Sequence, residues 1–218
     1  MVQRVKRRYD ADGRQAQSRT TRLRILDAAR ASFVERGYRA TTVGEIARRA
    51  DVHVDTLYAL VGRKPQILRE LVELAISGTD EALAPERRDY VQRMRAEPDP
   101  ARKLRIYAGA IRAIQTRMAP LLLALRDAAA TDPAAQQVWR EIGERRAQNM
   151  RRLVVELGDD VLRPGMSVDD AADILWATAG SEMFVLLTFE RGWPLERYER
   201  WLAEAWTTQL LRPPRRVR

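Results

Sequence analysis

The chain predicts an all-α protein, and three observations carry that reading. Apolar residues recur at helical spacing in segment after segment from Thr20 to Leu210. Residues that start helices (Thr42, Asp132 with Pro133, Ser167) and residues that stop them (Gly37, Gly192) stand at the edges of those segments. No stretch alternates convincingly with period two, so no sheet is expected.

Residues 1–18 are charged and polar and include Gly13, which suggests a basic flexible arm. From Thr20 to Arg36 the residues Leu23, Ile25, Leu26, Ala29 and Phe33 form one apolar stripe, closed by Gly37. Thr42 to Glu45 fits a capping box, in which hydroxyl and carboxylate satisfy free backbone donors at a helix start. Val43, Ile46, Ala47 and Ala50 then share a face. Asp51-Val52 interrupts the pattern before a second set at Val54, Leu57 and Tyr58. Two short helices joined by so tight a turn read as a helix-turn-helix, whose second helix enters the DNA major groove. Pro65 belongs in the first turn of the next helix, with Ile67, Leu68, Leu71, Val72, Ala75 and Ile76 inward.

The stretch 80–100, with Pro85, Pro98 and Pro100, reads as a seam carrying a short helix near 87–96. Beyond it a helix is expected from Pro100 to about Met118. Pro120 should restart the chain for a short Leu-rich helix to about Ala130, and Asp132-Pro133 should open a long one to about Leu157. After the Pro164-Gly165 turn, the segment from Ser167 to Arg191 reads as one helix, apolar on nearly every side. Pro194 opens a last helix with Leu195, Tyr198, Trp201, Leu202, Ala205, Trp206 and Leu210 along one stripe.

Charge is distributed in a way that agrees with the motif. Residues 1–64 hold 15 Lys and Arg against 7 Asp and Glu, whereas residues 65–211 hold 20 against 23, and the last seven residues add four arginines. A basic region beside a helix-turn-helix suits binding through release of counterions from phosphates. With no Cys and one His, thiol catalysis, thiolate zinc sites and disulfides are excluded. A metal site at His53 lacks a second ligand of its kind, and no Gly-rich phosphate loop is present. No enzyme, cofactor or metal is therefore expected. No apolar run approaches the roughly 20 residues that span a bilayer, and no signal peptide follows the basic start, so a cytoplasmic protein is expected.

The order Phe33-Val-Glu-Arg-Gly-Tyr38, Ala40-Thr-Thr-Val-Gly-Glu-Ile-Ala47, Thr56-Leu-Tyr58 and Lys64 resembles the TetR family of one-component regulators. The motif spans about residues 20–70, and the helical remainder is similar to the family in length and helix order. The resemblance implies an amino-terminal three-helix DNA-binding domain (19–64) between the arm (1–18) and a carboxy-terminal helical domain for effector binding and dimerisation (65–211), with a basic tail (212–218). The family usually has Gly at Asp51, a small residue at His53, a polar one at Val54, Gly at Asp55 and Phe at Val61. These departures bear on the operator sequence, not on the fold; Asp51 suits a left-handed backbone better than most residues.

Carried over position by position, the resemblance makes Thr41, Thr42, Tyr58 and Lys64 phosphate contacts that set the docking register. His53, Val54, Asp55 and Thr56 lie at the exposed start of the recognition helix, where base edges are read. Asp55 could accept from a cytosine amine or repel phosphate. A homodimer is implied, since paired recognition helices read a palindrome. The two last long helices would form the contact, with Trp201 and Trp206 as interface or core residues. A pocket for an unknown small-molecule effector would draw on Tyr107, Ile111, Met118, Leu122, Trp176 and Met183, large or pliable residues of the kind that line cavities. Leu125, Trp139, Met150 and Phe184 stand beside them, and Arg126, Asn149 and Glu182 are interleaved; Arg126 hints at an acidic or carbonyl-bearing ligand. The mechanism implied is a palindromic operator released when effector favours a dimer with wrongly spaced reading heads. A ligand-independent architectural DNA-binding protein and a transcriptional activator are the alternatives.

Overall fold

The computed structural model describes residues 2–213, and among them helices account for nearly all regular structure. Ten α-helices follow in order: α1 (Val2–Ala40), α2 (Val43–Arg49), α3 (Val54–Val61), α4 (Lys64–Ser77), α5 (Asp89–Ala96), α6 (Pro100–Ala129), α7 (Pro133–Leu157), α8 (Val168–Thr178), α9 (Ser181–Val185) and α10 (Leu195–Leu210). A π-helical stretch, Leu186–Glu190, continues α9. The only strand-like pairing among the described residues is an isolated bridge between Leu162 and Leu211. No single described helix is long and apolar enough to cross a membrane.

Helix α1 is assigned from Val2, so it begins well before residue 19. Its regular course ends at Gly37, whose φ of 81° and ψ of 159° are open to glycine and strained for other residues. The expected caps are present. Thr42 Oγ1 accepts from Glu45 N at 3.2 Å while Thr42 N donates to Glu45 Oε2 at 3.0 Å. Asp132 accepts from the amides of Ala134 and Ala135, and Ser167 from that of Asp170.

Two expectations fail, for instructive reasons. Pro120 does not end a helix: α6 runs from Pro100 through it to Ala129. Proline removes the donor for the carbonyl four residues back. The carbonyl so orphaned is that of Thr116. Arg30 Nη1 donates to the next one, the Arg117 carbonyl, at 3.0 Å, and α6 continues because it is buried against neighbours on both sides of the proline. Conversely, the helix expected from Ser167 to Arg191 is two pieces bent by 44°. At the break, buried Gln115 on α6 donates Nε2 to the Ala179 carbonyl at 2.6 Å and accepts from Ser181 Oγ at 2.8 Å. The interruption survives burial because a side chain from another helix supplies its missing partners.

The core is not divided at residue 64. One apolar cluster joins Ile25, Phe33, Ile46, Leu57 and Leu68 to Met118, Leu122 and Leu125 of α6 and to Val138 of α7. The other gathers Leu104 and Tyr107 of α6 with Met150 and Val154 of α7, Leu175 of α8, Phe184 of α9 and Trp206 of α10. Helix α6 thus serves both. Trp206 is fully buried, stacks on Tyr107 with centroids 5.6 Å apart and donates Nε1 to Thr178 Oγ1 at 2.7 Å. It is a core residue of its own chain, and only half-buried Trp201 is left of the aromatic pair considered for an interface.

Candidate functional site

The turn between α2 and α3 is built locally. Ala50 N bonds Ile46 O at 2.9 Å and Val52 N bonds Ala47 O at 3.0 Å. This six-to-one closure requires a left-handed residue between them, and Asp51 takes it with φ 52°, the sole described non-glycine at positive φ. Ile46 and Ala47 of α2 and Leu57 and Val61 of α3 face inward. Burying those faces turns the opposite side of α3 outward, and His53, Val54, Asp55, Thr56 and Tyr58 are all exposed. His53 occupies the N-cap position of α3, and its ring caps nothing. Tyr58 is 46% exposed, so its ring is not a core element. These five residues form one outward strip on a short helix.

Thr41 and Lys64 are corrections. Thr41 is buried, and its hydroxyl donates to the carbonyls of Ser32 (3.0 Å) and Gly37 (2.9 Å). Lys64 Nζ donates to the carbonyls of Tyr38 (2.9 Å) and Thr41 (3.0 Å) and stands 4.5 Å from the Tyr38 ring centroid. Both side chains hold the bend that follows Gly37, so neither is presented to a phosphate. Burial lowers the Lys64 ammonium from its ordinary pKa, with Asp132 opposing, and raises the Tyr38 phenol to about 12. Thr42, by contrast, is exposed, although its hydroxyl is engaged with Glu45.

Other basic residues around the head divide into committed and free. Arg49 makes a two-pronged pair with Glu35 at 2.6 and 2.7 Å, and Arg36 pairs with Glu45. Hydrogen bonding to Arg49 holds the Glu35 carboxyl below its usual range. Arg48 at the end of α2 and Arg63 before α4 are exposed, and neither has an ion-pair partner among the described residues. The motif match hid these two cations because it weights the positions of the recognition helix.

A second feature lies between α4, α5, α6 and α7: a cavity of about 160 Å³. Of the residues read from sequence as pocket-forming, Tyr107, Ile111, Met118 and Asn149 line it. Leu122, Leu125, Arg126, Trp139, Trp176, Glu182, Met183 and Phe184 do not. Leu122 is buried in the cluster shared with the head, Arg126 is outside in pairs with Asp127 (3.4 Å) and Glu182 (3.7 Å), and Met183 belongs to α9 away from the lining. Trp176 is exposed on α8, with the Arg146 guanidinium 4.5 Å from its ring centroid. Met150 does line the space and accepts from the Tyr107 hydroxyl at 3.2 Å. Burial raises that phenol's pKa strongly.

Sequence reasoning missed the contribution of α4, whose Val72 and Ile76 line the cavity, and the arginines of α5 and α7. On a helical wheel those residues read as ordinary core and ordinary solvated charge. The end of α4 is held by Arg117, whose Nε donates to the Ala75 carbonyl at 2.8 Å, next to the Arg30 contact from α1. The reading head, α4 and α6 are therefore joined by one chain of hydrogen bonds.

A basic helix-turn-helix, an outward recognition strip and a cavity in an all-helical body are the features of a DNA-binding transcriptional regulator. Residues 25–71 match the family model described as bacterial regulatory proteins, tetR family. That match places the helix-turn-helix region alone, 47 residues, in line with the amino-terminal domain of that family. The fold agrees along nearly its whole length. It is similar to NalD of Pseudomonas aeruginosa, the secondary repressor of the MexAB-OprM multidrug efflux pump, with TM-score 0.69, 23% identity and coverage of 89% of this chain and 98% of that one. SmeT in complex with triclosan matches with TM-score 0.68 and 19% identity over 89% and 93% of the two chains. A putative transcriptional regulator of Saccharomonospora viridis bound to choline matches with TM-score 0.63 and 18% identity over 88% and 98%. Among curated proteins, none matches in sequence.

Proposed function

We propose that the protein is a homodimeric repressor that binds a palindromic operator through α3 and is released by a small molecule held between α4 and α7. The observation that carries this reading is the exposed run from His53 to Tyr58 at the start of α3. It stands on a scaffold in which Thr41, Thr42 and Lys64 bond to their own chain. His53, Val54, Asp55 and Thr56 would face base edges, with Thr42, Tyr58, Arg48 and Arg63 toward phosphates. The domain limits 19–64 and 65–211 are retained as functional units, the first reading DNA and the second receiving effector and partner. The arm 1–18 would add phosphate contacts; the tail 212–218 lies mostly outside the described residues.

Dimerisation is supported by α8 and the segment after α9, which expose Trp176, Leu186 and Phe189, the last 70% exposed. Large apolar groups left in water along neighbouring turns favour a partner surface. A second copy seated on that face and on α10 would bring two α3 helices to one duplex. Effector release is supported by the cavity's contact with α4. A ligand pressing on Val72 and Ile76 would move a helix whose first residue, Lys64, grips the bend ahead of α2. Only a difference in ligand affinity between the DNA-competent and incompetent arrangements can shift the equilibrium.

The test is binding of purified protein to the DNA flanking its own gene, titrated against salt beside a scrambled duplex. Preference for one palindromic segment, with affinity falling steeply with salt, is the expected result. Equal binding to both duplexes favours an architectural role, and no binding at low salt overturns the DNA-binding reading.

A further inference from the structure

The cavity's charge is more selective than its shape. Five arginines line it, Arg88, Arg95, Arg145, Arg146 and Arg152, against two carboxylates, Glu86 and Glu156. Most of the nearby negative charge is committed: Glu73, behind the wall, meets both Arg145 and Arg88, and Glu156 meets Arg95 at 3.7 Å. Arg152 is bonded to the neutral Asn149 amide.

Arg146 differs from the rest. It is partly buried, and among the described residues it has no carboxylate within ion-pair distance. Its Nη2 donates to the Trp176 carbonyl, and its Nε is buried with no acceptor. Burial holds its pKa below the ordinary arginine range, with Tyr107, Glu182 and Tyr198 opposing. A guanidinium partly withdrawn from water with no carboxylate in direct contact is costly, and a bidentate acid group from outside lowers that cost. The apolar lining, Ile111, Met118 and Met150, would take a hydrocarbon body beside it.

We propose that this cavity takes a small amphipathic organic anion, one acid group on an apolar body, with Arg146 holding the acid. The proposal rests on the reading of the cavity as the effector site and names the ligand class. A cationic ligand, which Tyr90 and Tyr107 could otherwise attract through their ring faces, would meet an excess of guanidinium charge.

The experiment is calorimetric titration of the full chain with three probes of equal length: octanoate, 1-octanol and octylammonium. Octanoate is expected to saturate one site per protomer at least about tenfold more tightly than the other two. Arg146→Gln should weaken octanoate by about tenfold or more while leaving octanol unchanged. Arg146→Lys should keep part of the preference, and Arg126→Gln, outside the cavity, should change nothing. Equal binding of all three probes, preference for octylammonium, or no saturable binding of any overturns the proposal. So does undiminished octanoate binding by a folded Arg146→Gln variant. Should that variant lose its helical circular dichroism, the wild-type ratio among the three probes decides. Adding octanoate to a protein–operator complex separates the two readings. Binding of octanoate with no release of DNA keeps the anion site and overturns the effector role.

Discussion

The reading head and the cavity use the same residue types in opposite ways. In the head, the functional side chains are neighbours in sequence, from His53 to Tyr58, and face water. The arginines beside that strip, Arg36, Arg48, Arg49 and Arg63, are exposed, and two of them, Arg49 and Arg36, are paired with Glu35 and Glu45. In the cavity, the lining is drawn from positions as far apart as Val72 and Ala179, and the cation that matters most, Arg146, is partly buried without a carboxylate. A surface built from one short helix needs only that helix and its caps. A hole needs every wall in place, so its chemistry depends on the packing of four helices.

The largest effects should come from truncating the two cores. Trp206→Ala beneath the cavity and Phe33→Ala beneath the head should each cost about 3–5 kcal/mol in urea unfolding. Because α6 belongs to both clusters, each variant is expected to unfold in one transition. Two separated transitions would show that head and body unfold independently.

Next in size, Lys64→Met should destabilise by about 1–3 kcal/mol by leaving buried carbonyls without a donor. Its log–log salt slope for DNA binding should stay unchanged. Arg48→Ala should do the reverse, lowering the slope by about one with little change in stability. A reduced slope in the Lys64 variant would return that ammonium to the phosphates.

A smaller loss, about 1–2 kcal/mol, is expected for Asp51→Val, since a β-branched residue resists the left-handed turn; Asp51→Gly should be tolerated. Thermal unfolding of the two variants tests this, and equal melting temperatures would mean that the turn relaxes.

The smallest effect is the capping box. Thr42→Ala should cost about 1 kcal/mol. The Thr42 amide, as the leading cause, holds the Glu45 carboxyl below its ordinary pKa. A carboxylate with a lowered folded pKa adds stability that is complete above the unfolded value and is lost as pH falls through the folded one. The gap in stability between wild type and Glu45→Gln should therefore narrow on acidification from neutral pH toward pH about 3. A constant gap would remove the charge from the account.

The legible features share a physical cause. Capping boxes, the Asp51 turn, the Asp132-Pro133 start and the outward strip of α3 each depend on residues within a turn or two of one another. The misread ones depend on partners far along the chain. Pro120 reads as a stop until distant helices bury α6 on both sides of it, at Met118 and Ala119 and at Leu121 and Leu122. The apolar run after Ser167 reads as one helix until Gln115 satisfies the break between Ala179 and Ser181. Thr41 and Lys64 match a family motif, yet their polar atoms are drawn inward by the bend after Gly37.

The arginines mark the boundary most clearly. Arg126 and Arg146 are both helical arginines with one apolar and one charged neighbour, Leu125 and Asp127 for the first and Ala147 and Arg145 for the second, and nothing local ranks one above the other. Folding leaves Arg126 outside beside Asp127 and Glu182, and turns Arg146 into the cavity wall. Short-range backbone chemistry makes the helices, their ends and the reading surface follow from the amino-acid order. Which charge is desolvated, and which helix break is rescued, follows from long-range packing, because both depend on what the rest of the chain places alongside.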